Sequence, residues 1–117
     1  MTTAYRKGAL VDAGRPSGSW VEFLTRAQVS VPEDLPVADL DLLRAQEAQR
    51  ARELADEGRL VRAWRPHAAT TWSNICLWRA EDEPDLWKHL RTLPLFAYMS
   101  ITVDRLDGHP SDPAGYR

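Results

Sequence analysis

Between Trp20 and Val31 the chain alternates, with Val21, Phe23, Thr25, Ala27, Val29 and Val31 set against Glu22, Leu24, Arg26, Gln28 and Ser30. A period of two is that of a β-strand. After a connection over Pro32 to Pro36 the period changes. From Val37 or Asp39 to Gly58, Leu40, Leu43, Ala51 and Leu54 share one stripe at about 100° per residue, which predicts a helix. Gly58 suits the left-handed position that closes it. Arg59 to Arg65 alternates again, placing Leu60 and Trp64 against Arg59, Val61, Ala63 and Arg65, and Pro66 breaks this second strand. A turn, PHAATT, leads to WSNICLWR, where Trp72, Asn74, Cys76 and Trp78 share one face. That connection is too short for a crossover helix, so the third strand runs antiparallel to the second. The stretch EDEPDLWKHLRTL carries Leu86, Leu90 and Leu93 at helical spacing and is ended by Pro94; a fourth strand, MSITVDRL, and a polar tail follow.

The element order is β-α-β-β-α-β, the ferredoxin-like arrangement of the α+β class: an antiparallel sheet with both helices on one face. The other face then needs a cover. Because the first strand carries apolar residues on both sides, that cover is expected from another subunit, giving a dimer or a larger symmetric assembly. Residues 1–19 mix Gly, Ser, Pro and charge without periodicity and read as an extension, leaving 20–117 as one domain with a C-terminal arm.

With 117 residues, a single domain with a real core is the natural expectation. The net charge of -2, with both signs interspersed, gives no footprint for nucleic acid or an anionic membrane, so a small molecule or a protein is the expected partner. Cys76 is the single cysteine, so no internal disulfide can form, and no Cys/His spacing fits a zinc site. There is no run long enough to span a membrane and no signal-peptide core at the N-terminus, which points to the cytoplasm.

One residue in the long helix is out of place. Glu47 falls in the middle of the apolar stripe, where a carboxylate either finds a partner or has its pKa raised by desolvation. It is therefore a candidate general base, or else an acid at the stripe's edge reaching for water. Of the histidines, His67, His89 and His109 share no metal spacing and read as structural or solvated, with His67 first among them for a role in a site. Arg26, Arg62 and Arg65 lie on strands where a guanidinium could hold a carboxylate, or form an ion pair. Cys76 reads as core, and Trp64, Trp78 and Trp87 as core or subunit interface. Leu95, Phe96 and Tyr98 fit either core or pocket wall.

The succession LRAQEAQRARELADEGRL, VRAWR, W-S-N, TLPLFAYM and HPSDP resembles the muconolactone delta-isomerase family over roughly Val21 to Pro113. The most specific piece is LPLFAYM followed by HPSD. The resemblance implies a ferredoxin-like protomer of the dimeric α/β-barrel type that can assemble up to decamers, with a pocket between helix and sheet and no cofactor or metal. It implies a reaction that moves a double bond in a small lactone by carrying one proton between two carbons. Glu47 matches the family's proposed base, and the family's Tyr-x-Asn element falls on Trp72 and Asn74, with Asn74 donating to the developing oxyanion. Trp72, His67, Arg65, Phe96 and Tyr98 are then the expected substrate contacts, and the substrate a lactone or related carbonyl compound.

Three features depart from the family pattern: tryptophan at 72 where the isomerase has tyrosine, a longer turn from His67 to Thr71, and the extension before Trp20. They keep two other readings open, a tailoring enzyme such as a cyclase, dehydratase or dehalogenase on the same scaffold, and a non-catalytic oligomeric binding protein in which Glu47 makes an intersubunit salt bridge.

Overall fold

Alternation along the first strand is translated directly into burial. In the computed structural model, which describes residues 20–115, Phe23, Thr25, Ala27 and Val29 are buried while Arg26 and Gln28 are exposed. The expected extension over 1–19 lies outside the described residues. The elements are β1 (Val21–Val29), α1 (Val37–Asp56), β2 (Leu60–Trp64), β3 (Ser73–Ala80), α2 (Glu83–Leu90) and β4 (Met99–Leu106), with single 3-10 turns at Phe96–Tyr98 and Pro113–Gly115. The sheet order is β2-β3-β1-β4, with every neighbouring pair antiparallel. This is the ferredoxin-like order, built from β-α-β-β-α-β as expected.

Register decides which side chains meet. Phe23 lies opposite Trp78, Thr25 opposite Cys76 and Ala27 opposite Asn74, so the helix-facing side of β3 carries the residues that its alternation grouped together. Phe23, Cys76 and Trp78 join Leu54 of α1 and Leu86, Leu90 and Leu93 in and after α2 to form the core. Each fully buried leucine or phenylalanine there contributes about 1.5–3 kcal/mol. The indole N–H of Trp78, deep in this core, donates to the Thr25 hydroxyl at 2.9 Å, so neither polar group is left unpaired.

The end of α1 is built as its sequence requires. Gly58 has φ 79°, its N–H donates to the Ala55 carbonyl at 3.0 Å, and the Arg59 N–H donates to the Leu54 carbonyl at 2.9 Å. Those two bonds are the Schellman pattern. The stripe on α1 is Leu40, Leu43, Glu47, Arg50, Ala51 and Leu54, all at least partly buried, with Leu54 completely so.

Two expectations are corrected. The strand β2 does not alternate strictly: a bulge between Leu60 and Arg62 pairs Leu60 with Trp78 but Trp64 with Ile75. Leu60 therefore packs on the core, whereas Trp64 points to the opposite face and is 41% exposed. A bulge inserts one residue into one strand and flips every side chain after it. The second helix also stops short of Leu93. Asp82 caps its start, its carboxylate accepting the Asp85 N–H at 2.8 Å, but after Leu90 the Thr92 hydroxyl takes the His89 carbonyl at 2.6 Å and the chain turns. The helix ends before Pro94 because a side chain competes for its last carbonyls.

Between α2 and the start of β2, Asp85 accepts from Arg59 at 2.9 Å and lies 3.3 Å from His89 Nε2. Burial pushes the Asp85 carboxyl up, but the Glu81 N–H, Arg59, His89 and Lys88 outweigh it and hold the group below its usual range.

Candidate functional site

Because α1 packs with its stripe inward, Glu47 is carried to the segment that returns after α2. Its Oε1 accepts the backbone N–H of Leu95 at 2.9 Å. No arginine or lysine pairs with it among the described residues. Burial raises the Glu47 pKa, and the Leu95 N–H opposes that rise without cancelling it. The result is a carboxylate held by one oxygen, in surroundings that favour its taking up a proton.

Cys76 is its neighbour on the sheet. Burial pushes the thiol up to about 11, and the charge of Glu47 adds to the effect. The thiol donates to Asn74 Oδ1 at 3.7 Å, which leaves the Asn74 NH2 group as the donor on that amide. Cys76 thus feels the charge of Glu47 and touches Asn74. As expected, the thiol itself is buried and inert.

Asn74 and Trp72 also line a cavity of about 380 Å³ at the turn end of the β2–β3 hairpin, together with Ala63, Trp64, Arg65, Ala69, Thr71 and Ser73. This size suits a small molecule. The turn that shapes its rim holds Ala68 at φ 57°, a left-handed conformation that costs a residue with a Cβ about 1–2 kcal/mol.

Of the residues expected at the site, the structure gathers Arg65, Trp72 and Asn74 around this cavity, while Glu47, held at Leu95, is not among its lining residues. The structure does not bring in the others. His67 lies in the exposed turn, outside the lining, because that turn presents Ala69 and Thr71 to the cavity instead. Phe96 packs edge-on against Trp87, with ring centroids 6.3 Å apart, and joins the core. Tyr98 serves through its carbonyl, which accepts the Ser30 N–H at 2.8 Å. Among the described residues, no group of His, Cys, Asp and Glu is placed to hold a metal ion, and no helix is long and apolar enough to cross a membrane.

One residue escaped the sequence reading. Arg44, one turn before Glu47 on α1, places its guanidinium carbon 4.3 Å from the centre of the Trp72 ring. The available signal was its i, i+3 spacing from Glu47, which puts both on neighbouring parts of one helix face.

These placements coincide with a family likeness. The family model for muconolactone delta-isomerase matches residues 21–112. The muconolactone delta-isomerase 1 of Acinetobacter lwoffii is 34% identical over 89 residues, covering 76% of this chain and 91% of that protein. The enzyme of Cupriavidus pinatubonensis is also 34% identical over 89 residues, with 95% of its length covered. A crystal structure of muconolactone isomerase superposes with a TM-score of 0.71 at 34% identity, covering 79% of this chain and 94% of that one. The chain belongs to the muconolactone delta-isomerase family.

Proposed function

We propose that this protein is an isomerase that shifts a double bond within a small unsaturated lactone such as muconolactone, with Glu47 as the single base. In such a lactone the proton on the γ carbon is weakly acidic, because its removal gives a dienolate whose charge reaches the carbonyl oxygen. Oε2 of Glu47 takes that proton while Oε1 stays on the Leu95 N–H. The same carboxyl then returns it to the α carbon, so the atoms balance and the double bond has moved one position. Asn74 donates to the oxygen where the negative charge collects. Arg65 and Trp72 form the wall against which the ring lies.

The observation that carries this reading is the Glu47 carboxylate itself: partly buried, unpaired with any cation among the described residues, and raised in pKa by its surroundings. A base matched to a carbon acid needs that upward shift. The alternative, a non-catalytic binding protein in which Glu47 makes an intersubunit salt bridge, predicts a cation of a second subunit against this carboxylate.

Catalysis here takes place in a homo-oligomer whose subunits meet on the open face of the sheet. A reducing cytoplasm is the working compartment, in keeping with the single thiol of Cys76.

The test is direct. Purified protein is given muconolactone and loss of the starting isomer is followed; Glu47→Gln, which keeps size and the acceptor for the Leu95 N–H, is expected to lose at least about a thousandfold in kcat with its fold intact by circular dichroism. A folded Glu47→Gln protein with near-wild-type turnover removes Glu47 from the mechanism.

A further inference from the structure

Arg44 is the residue of this region for which neither its packing nor the proton transfer accounts. Two other arginines at the ends of this region are engaged with acids: Arg50 with Glu53 at 2.9 Å and Arg59 with Asp85 at 2.9 Å. Arg44 has no acid partner among the described residues and is exposed. Its guanidinium lies over Trp72, the best aromatic face for a cation. A guanidinium resting on a ring is held in place while its N–H edge stays free for a planar anion.

The surroundings set what that anion is. Trp72 immediately precedes β3 and stands two residues before Asn74, about 6.6 Å along an extended chain, and Arg44 precedes Glu47 by about 4.5 Å along the helix axis. The pair Arg44–Trp72 is therefore offset, along helix and chain, by one short molecule's length from the acid that carries the proton and the amide that faces the oxyanion. Muconolactone is a lactone ring bearing a carboxymethyl arm, so its charged end and its reacting carbons are separated by a comparable reach.

We infer that Arg44, stacked on Trp72, is the anchor for the substrate's carboxylate, and that it makes the site selective for lactones carrying a free acid over neutral ones. This rests on the isomerase reading for the reaction, but not for the binding. It also gives the tryptophan at position 72 a function of its own, as the platform that fixes the guanidinium. Arg65, which lines the cavity itself, is the competing anchor.

The experiment separates the possibilities. With muconolactone, Arg44→Gln is expected to raise KM about 10- to 100-fold while kcat falls no more than a few-fold, and Arg44→Lys to recover part of the loss. With the methyl ester of muconolactone, wild type and Arg44→Gln are expected to have the same KM, because the charge that Arg44 recognises is gone. An unchanged KM for the acid, an equal loss on acid and ester, or a loss found with Arg65→Gln in place of Arg44→Gln overturns the assignment. If the wild-type protein does not isomerise muconolactone, the reaction reading fails on its own. The anchor is then read by calorimetric binding of muconolactone to Glu47→Gln and to the Glu47→Gln/Arg44→Gln double variant. A 10- to 100-fold weaker Kd in the double variant supports the anchor, and equal affinities or no saturable binding to either protein overturns it.

Discussion

At the scale of single residues, the site depends on how one carboxylate is surrounded. Burial raises the pKa of Glu47 and the Leu95 N–H resists the rise, and two consequences follow by linkage. The acid limb of the profile of kcat/KM against pH should have its midpoint above the usual glutamate range, because the base works only when deprotonated. A profile already flat through that range would mean that Glu47 is not the titrating base. Stability runs the other way. A folded-state pKa above the unfolded one favours the protonated form, so this contribution is full below the unfolded pKa and is lost as pH rises through the folded value. Glu47→Gln should therefore gain stability relative to wild type as pH rises through that window, as read by urea midpoints at a series of pH values. Glu47 itself was visible in the sequence as an acid inside an apolar stripe. Its partner was not, since Leu95 lies 48 positions away and offers a backbone group that no side-chain pattern reveals.

At the scale of elements, local signals did well where local interactions decide the outcome. The fourth strand has its expected bounds, and Gly58 closes α1 at φ 79°. Gly58→Ala should cost about 1–2 kcal/mol in chemical denaturation, entirely through backbone strain, because nothing lies within 4 Å of the added methyl group. A loss much below this would show that the end of the helix relaxes to another cap. The signals failed where pairing or competition intervened. Strict alternation put Leu60 and Trp64 on one face, but the bulge separates them, and a bulge is a property of two strands in register. The leucine spacing carried the second helix to Leu93, but that leucine is buried by the turn that Thr92 makes. Burial alone does not require a helix.

At the scale of the whole molecule, the sheet has one covered face and one that the protomer leaves open. On the open face Leu24 lies between Leu77 of β3 and Asp104 of β4, and Trp64 lies opposite Ile75. Trp64 is 41% and Leu106 37% exposed there, an apolar surface of the kind that subunits cover. The protein is expected to elute, by size exclusion with light scattering, well above the 13.3 kDa of one chain. Leu77→Arg, placing a charge at the centre of that face, is expected to shift it toward the monomer. A wild-type protein that runs as a monomer would exclude the open face as a subunit contact. The cavity beside Trp72 and Asn74 includes Trp64 and Ser73 from this same side.

The linear chain by itself determined the order of strands and helices, the inward set on each, the glycine that ends α1 and the acid that does not belong on its stripe. All of these follow from periodicity and from backbone preferences that act between residues close in sequence. Only the tertiary structure decided that Glu47 rests on the Leu95 N–H, that Phe96 packs against Trp87, and that Arg44 lies on Trp72. The reason is physical: repeat patterns tell each residue which side to face, whereas contacts between distant segments depend on register, a bulge and the angle at which a helix crosses a sheet. Those are set by packing the whole chain at once.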